Sequence, residues 1–187
     1  MAAVVAEHLA GVKLKRIYTS PMERTRETAA AIAAHHRLEP LIRDGLNEVD
    51  YGAWAGKKFE VLRKSPLWGQ LFSAPSQVRF PGGESLGEAQ ARGLAAVEAI
   101  LAETREGIVA AVTHADVIRL VLAHYLGIHL DLYQRLHVAP ASISVLDMGG
   151  KGPPTVVTVN ATAGTPRWFE TPPAPARKPL TEKPSKA

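Results

Sequence analysis

Short apolar runs alternate along this chain with stretches in which apolar residues recur every three or four positions, the pattern of strands joined by amphipathic helices. Helical spacing from Met1 to about Leu9 is closed by Gly11. Leu14 to Thr19 then carries the β-branched and aromatic run Ile17-Tyr18-Thr19, which reads as a strand. Ser20-Pro21-Met22-Glu23 follows at once, and this spacing predicts a helix running to about His36, with Ser20 as N-cap, Pro21 in the first helical position and Glu23 completing a capping box. A second start signal is the turn Phe80-Pro81-Gly82-Gly83-Glu84-Ser85, where Ser85 and Glu88 have capping-box spacing ahead of a helix to about Glu103. Ile108 to Thr113 is apolar without alternation, which predicts a strand buried on both faces, as in a parallel sheet. His114 stands at its carboxyl end, and Ala115 to Leu126 continues as a helix that Gly127 can terminate. Ile143 to Met148 and Thr155 to Val159 read as two strands around the turn Gly149 to Pro153. Between Leu41 and Gln77 the pattern is mixed, with one short helical piece near Phe59 to Arg63, and no internal repeat is present. The alternation as a whole predicts an α/β sheet with crossover helices.

Composition narrows the chemistry. The 187 residues fit one ordinary domain, with 46% hydrophobic residues for a core and 21% charged residues for a soluble surface. No apolar run reaches the roughly 18 residues of a membrane helix, and the apolar start lacks the basic flank of a secretory signal. Cysteine is absent, which excludes thiol nucleophiles, disulfides, iron–sulfur clusters and cysteine zinc sites and makes a cytoplasmic location the default expectation. The net charge of +4 invites a nucleic-acid reading, but three of those four charges fall between Thr165 and Ala187, a segment that also holds six of the 14 prolines. We therefore expect residues 1–162 to form the domain and 163–187 to be a disordered, proline-rich basic tail, with neither nucleic acid nor membrane as partner.

In open α/β sheets, ligands bind beyond the carboxyl ends of the strands. One such end delivers the start of the Ser20 helix, where free N–H groups favour an anion and Arg24 lies one turn in. The other delivers His114, just ahead of a helix. An Arg fork matches phosphate oxygens, and a neighbouring His can donate to the same group or exchange protons, so together they suggest a phosphate pocket. Singly, each is ordinary. Glu48 lies close to a loop rich in Gly and Trp, Tyr51-Gly52-Ala53-Trp54-Ala55-Gly56, and is a candidate general acid if that loop desolvates it. Pro81-Gly82-Gly83 lacks the Gly-Lys-Ser/Thr ending of a P-loop and reads as a plain turn. His35-His36 point about 100° apart on a helix and make a poor metal pair. No serine sits in a Gly-x-Ser-x-Gly elbow.

Taken in order, Ser20-Pro21-Met22-Glu23-Arg24 with Thr28-Ala29, Leu46-Asn47-Glu48 with Tyr51 to Gly56, Pro81-Gly82-Gly83-Glu84-Ser85, and Val112-Thr113-His114-Ala115 resemble the motifs of the histidine phosphatase superfamily. The resemblance runs from about residue 1 to residue 160 and is nearest a phosphomutase group within the family. It implies a phosphoglycerate-mutase-like, three-layer sandwich with a mostly parallel sheet, and phosphoryl transfer through a phosphohistidine on a small phosphorylated metabolite. It implies Arg24 as a phosphate-binding residue, His114 as the second, phosphate-contacting histidine, and Glu48 as the proton donor, with no metal and no cofactor. In the family a strand ending in Arg-His-Gly carries the nucleophile well before the Ser-Pro motif, whereas this sequence has 19 residues ahead of Ser20 and no Arg-His dipeptide. The expectation is thus a phosphatase or phosphomutase domain given without its N-terminal strand, through a late start or a deletion, and inactive as it stands. A non-catalytic phosphate-binding module is the alternative. Neither the substrate nor the oligomeric state follows from the sequence.

Overall fold

The computed structural model describes residues 1–149 and 152–162, so the expected tail lies outside the described residues. Its centre is a three-stranded parallel sheet in which β1 (Leu14–Thr19) runs between β2 (Pro40–Ile42) and β3 (Ile108–Val112). An antiparallel hairpin of β4 (Ile143–Asp147) and β5 (Thr155–Ala161) stands beside it. Among the described residues β3 pairs with β1 alone and β4 with β5 alone.

Helices cover both faces of β1, as its side-chain alternation requires. Ile17 packs with Val5, Ala6 and Leu9 of α1 (Ala2–Leu9) and with Ala29, Ile32 and Ala33 of α2 (Glu23–His36), and Ile143 of β4 lies against the same cluster. Tyr18, one residue on, faces the opposite layer and meets Ala96 and Ile100 of α5 (Leu86–Glu103). Helix α5 buries Leu86, Ala89, Gly93, Ala96 and Ile100, a stripe at three- and four-residue spacing. A Cβ on Gly93 would meet Val121 Cγ2 at 3.0 Å, which shows how closely α5 approaches α6 (Ala115–Tyr125). A second core joins α5 and α6 to the irregular segment between β2 and α5: Val49, Trp54, Val78 and Phe80 pack on Leu86, Leu120 and Tyr133. That segment holds the two short helices α3 (Phe59–Leu62) and α4 (Pro66–Ser73). No helix among the described residues is long and apolar enough to cross a membrane.

Two expectations are corrected. Helix α2 has Met22, not Ser20, at its N-cap and makes no side-chain cap bond. The reason is that Ser20 prolongs β1, its N–H bonded to Val112 O, and its hydroxyl is wholly buried against His114. Thr25 ties the helix start instead, its hydroxyl donating to the carbonyls of Ser20 and Met22. The second correction concerns β3: it is parallel, as expected, but no residue in it is fully buried, because it forms the edge of its sheet. The Ser85–Glu88 capping box is present in full. The hairpin strands differ from expectation only at their ends, and Gly127 follows α6 with a left-handed φ of 64°.

Candidate functional site

Strands β1 and β3 are parallel neighbours, with Thr19 opposite Val112, so their carboxyl ends open at the same place. Ser20 leaves one and His114 the other. Both helices that follow, α2 and α6, begin without a side-chain cap, which leaves first-turn N–H groups beside this point for an anion.

The three residues expected at the site converge there. Arg24 Nη2 lies 2.9 Å from His114 Nδ1 and 3.6 Å from Glu48 Oε2, and His114 Nδ1 is also 3.6 Å from Glu48 Oε2. A guanidinium can only donate, so Nδ1 of His114 accepts from Arg24 and the ring proton is on Nε2. That nitrogen, 2.8 Å from Ser20 Oγ, donates to the hydroxyl. The hydroxyl in turn donates to Asn47 Oδ1 at 3.4 Å, and the same oxygen accepts the Glu48 backbone N–H at 3.0 Å. Burial, aided by the charges of Arg24 and Arg92, pushes His114 down to about 4, so the imidazole is neutral near pH 7. Glu48 moves the other way. Burial raises its carboxyl above the usual range, partly opposed by the Val49 N–H that donates to Oε1 and by Arg24 and Arg92, and reinforced by the charge of Asp116.

Several residues that support this arrangement were not singled out from the sequence. Arg92 of α5 donates to the carbonyls of Gly45 (2.9 Å), Asn47 (2.9 Å) and Glu48 (3.2 Å), and grips the Glu84 carboxylate at 2.6 and 3.2 Å. Glu84 Oε1 also accepts the Asp50 N–H at 2.8 Å. The loop that presents Glu48 is thus pinned at both ends by a single ion pair. Thr113 adds a bond from its hydroxyl to Leu46 O at 2.6 Å. The Pro81-Gly82-Gly83 turn serves this loop as well: Ala53 N–H donates to Pro81 O, Glu84 N–H to Asp50 O, and a Cβ on Gly83 would stand 2.2 Å from Asp50 O. It is a packing turn rather than a phosphate cradle. Glu84 stood inside a quoted motif, but nothing in its spacing to Arg92, two helical turns on, announced a partner other than a surface pair.

Residues 1–162 match the Histidine phosphatase superfamily (branch 1). The chain belongs to the histidine phosphatase superfamily. Among curated relatives, Phosphoserine phosphatase 1 of Hydrogenobacter thermophilus is 32% identical over 149 residues, which span 79% of this chain and 71% of that protein. The 2,3-bisphosphoglycerate-dependent phosphoglycerate mutase of Thermoplasma acidophilum is 29% identical over 144 residues, 76% of this chain and 68% of the relative. The solved structure of Bacillus stearothermophilus YhfR superposes with a TM-score of 0.80 at 26% identity, over 86% of this chain and 81% of its own. The three-layer, parallel-sheet histidine phosphatase architecture expected from the motifs is therefore the one observed, and phosphoryl transfer is the chemistry of the family.

Proposed function

We propose that this chain carries the phosphate-binding and proton-donating part of a phosphoryl-transfer site acting on small phosphomonoesters, as a phosphatase in preference to a mutase. The convergence of Arg24, Glu48 and His114 at two parallel strand ends is the observation that supports it. Arg24 and the uncapped starts of α2 and α6 hold the phosphoryl oxygens, where transfer gathers negative charge, and His114 joins them once its Nδ1, now accepting from Arg24, carries a proton to donate. In the first half-reaction a histidine nitrogen bonds to phosphorus, the P–O bond to the leaving group breaks, and Glu48 delivers its proton to the departing oxygen. In the second, Glu48 as carboxylate takes a proton from water, whose oxygen displaces the histidine and releases inorganic phosphate. Burial raises the Glu48 carboxyl, the direction that favours the protonated form the first step needs.

The attacking histidine is the component to be located. Among the described residues the outer edge of β3 is unpaired and runs up to His114, and a further parallel strand paired there would end near His114, where an Arg-His-Gly turn would meet the phosphate. Relatives named for phosphoserine and for bisphosphoglycerate support a small phosphorylated metabolite as substrate. The absence of an Arg-His dipeptide from the sequence favours a second reading, a phosphate-binding module without turnover.

One set of assays decides between them. Phosphomonoester turnover and acid-labile phosphohistidine are measured on this chain and on the product of its gene read upstream in frame, alongside vanadate binding to both. Vanadate binding with turnover only in the longer product supports the main reading; vanadate binding without turnover in either supports the binding module. Replacing Arg24 by Ala is expected to weaken vanadate binding about ten- to a hundredfold, as loss of charge-assisted hydrogen bonds predicts. Unchanged affinity removes Arg24 from the pocket and the proposal with it.

A further inference from the structure

Two side chains beside the site, Tyr51 and Asp116, have no part in the chemistry described above. Asp116 lies two residues beyond His114 in the first turn of α6, and Tyr51 three residues beyond Glu48 in the pinned loop. The Tyr51 hydroxyl donates to Asp116 Oδ2 at 2.7 Å, which ties the segment bearing Glu48 to the helix whose start bears His114. The other oxygen, Oδ1, accepts from Arg119 Nη1 at 2.8 Å. Both carboxylate oxygens are therefore fixed, and the Tyr51 ring is fixed in turn by edge-on packing against Phe80 at 5.0 Å.

A carboxylate clamped this way is a stationary negative charge, two residues along from His114, whose ring lies 3.6 Å from the acid. The surroundings of Glu48 are of mixed sign. From α2 comes Arg24, from α5 Arg92, already engaged by Glu84, and from α6 the neutral His114 and the charged Asp116; Tyr51 and Tyr133 add neutral hydroxyls. The two arginines favour the ionised carboxylate, and Asp116 is the charge among these that opposes them. Burial raises the Tyr51 and Tyr133 hydroxyls, and the field of Asp116 acts in the same direction.

We propose that Asp116 is a positioning residue for the proton-transfer step: clamped by Tyr51 and Arg119, it ties the Glu48 loop to the helix start at His114 and sets a fixed negative charge against the pull of Arg24 and Arg92 on the Glu48 carboxyl. This rests on the reading of Glu48 as the proton donor. Arg119 serves by holding the carboxylate still, at the cost of part of its field.

The test is a carboxyl titration that does not depend on turnover. The protein is labelled with 13C-carboxyl glutamate, and the Glu48 resonance is assigned by its loss in Glu48→Gln. Asp116→Asn keeps an oxygen for the Tyr51 hydroxyl but removes the charge, and is expected to lower the Glu48 midpoint by about one pH unit. Asp116→Glu, which keeps the charge, is expected to retain the wild-type midpoint. Tyr51→Phe cuts the tether and leaves the charge, and is expected to move the midpoint by less than about half as much as Asp116→Asn. A midpoint unchanged in Asp116→Asn overturns the proposal, and so does one that falls as far in Tyr51→Phe or Asp116→Glu, since the effect would then be one of loop structure. Asp116→Ser gives the same reading should the Asn variant not fold. Full turnover by Glu48→Gln would sink the proton-donor reading separately, whatever the titration shows.

Discussion

Replacing Arg92 by Met removes the side chain that makes three of the bonds holding the Glu48 loop and engages Glu84, which makes another. Five hydrogen bonds go with it, three to loop carbonyls and two to Glu84. The Arg92 side chain is 27% exposed and that of Glu84 16%, so water can reach the vacated groups only in part. Breaking a buried ion pair by removing one partner costs about 3–5 kcal/mol, and this partial exposure places the expected loss near the lower figure, about 3 kcal/mol. In a domain of this size that corresponds to a fall in Tm of roughly 6–12 °C. Urea and thermal unfolding measure it, and Arg92→Lys, which keeps the charge but cannot reach all five acceptors, is expected to fall between. If the stranded Glu84 charge causes the loss, then Glu84→Gln introduced with Arg92→Met recovers part of it. A loss below about 1 kcal/mol for Arg92→Met would refute the reasoning and make the pair an ordinary surface contact.

Two further outcomes follow from the geometry. Gly83→Ala drives a Cβ into the Asp50 carbonyl and is expected to destabilise by more than about 2 kcal/mol, whereas Gly56→Ala, with φ of 72° but open space around it, is expected to cost only about 1–2 kcal/mol; equal losses in a urea series would show that the backbone at Gly83 gives way. His114 is held near 4 in the folded protein against an ordinary 6.5, so the unfolded chain takes up a proton between these values while the folded chain does not. Stability is therefore lost as pH falls from about 6.5 to about 4, by about 3 kcal/mol from this group. Because the raised Glu48 carboxyl acts in the opposite sense above 4.5, the comparison is made between Glu48→Gln and Glu48→Gln/His114→Gln; equal slopes in the two would show that His114 titrates normally.

The strand and helix order was readable because each signal was local: Ile17-Tyr18-Thr19 ahead of Pro21, Ser85 and Glu88 at capping-box spacing, and the apolar run into His114. The convergence of Arg24, Glu48 and His114 could be anticipated for the same reason, each lying inside a short motif. What escaped were relations between segments distant in the chain. Arg92 to Gly45 and Tyr51 to Asp116 join residues 47 and 65 positions apart, and neither pair has a spacing to betray it. Ser20 shows how a local rule gives way: its residue type suits an N-cap, but its N–H bonds Val112 across the sheet and its hydroxyl bonds His114, so that of the N–H groups at the helix start it accepts only that of Met22, one residue short of the helix. The region 41–77 was opaque because its order comes from aromatic packing, Trp54 on Phe80 and Trp68, rather than from periodicity.

The open side of β3 also governs how the protein behaves when concentrated. Val112 turns its carbonyl toward β1, where Ser20 bonds to it, so by alternation Val109 and Ala111 present their N–H and C=O groups outward. Among the described residues nothing pairs with that edge, no charge or proline lies within Ile108–Val112, and Ile108 at its start is 41% exposed. Such a row is a template for any extended segment with free main-chain groups, including the same edge of another copy. The weak point for aggregation therefore lies beside the candidate site, and any strand that pairs with this edge protects solubility as well.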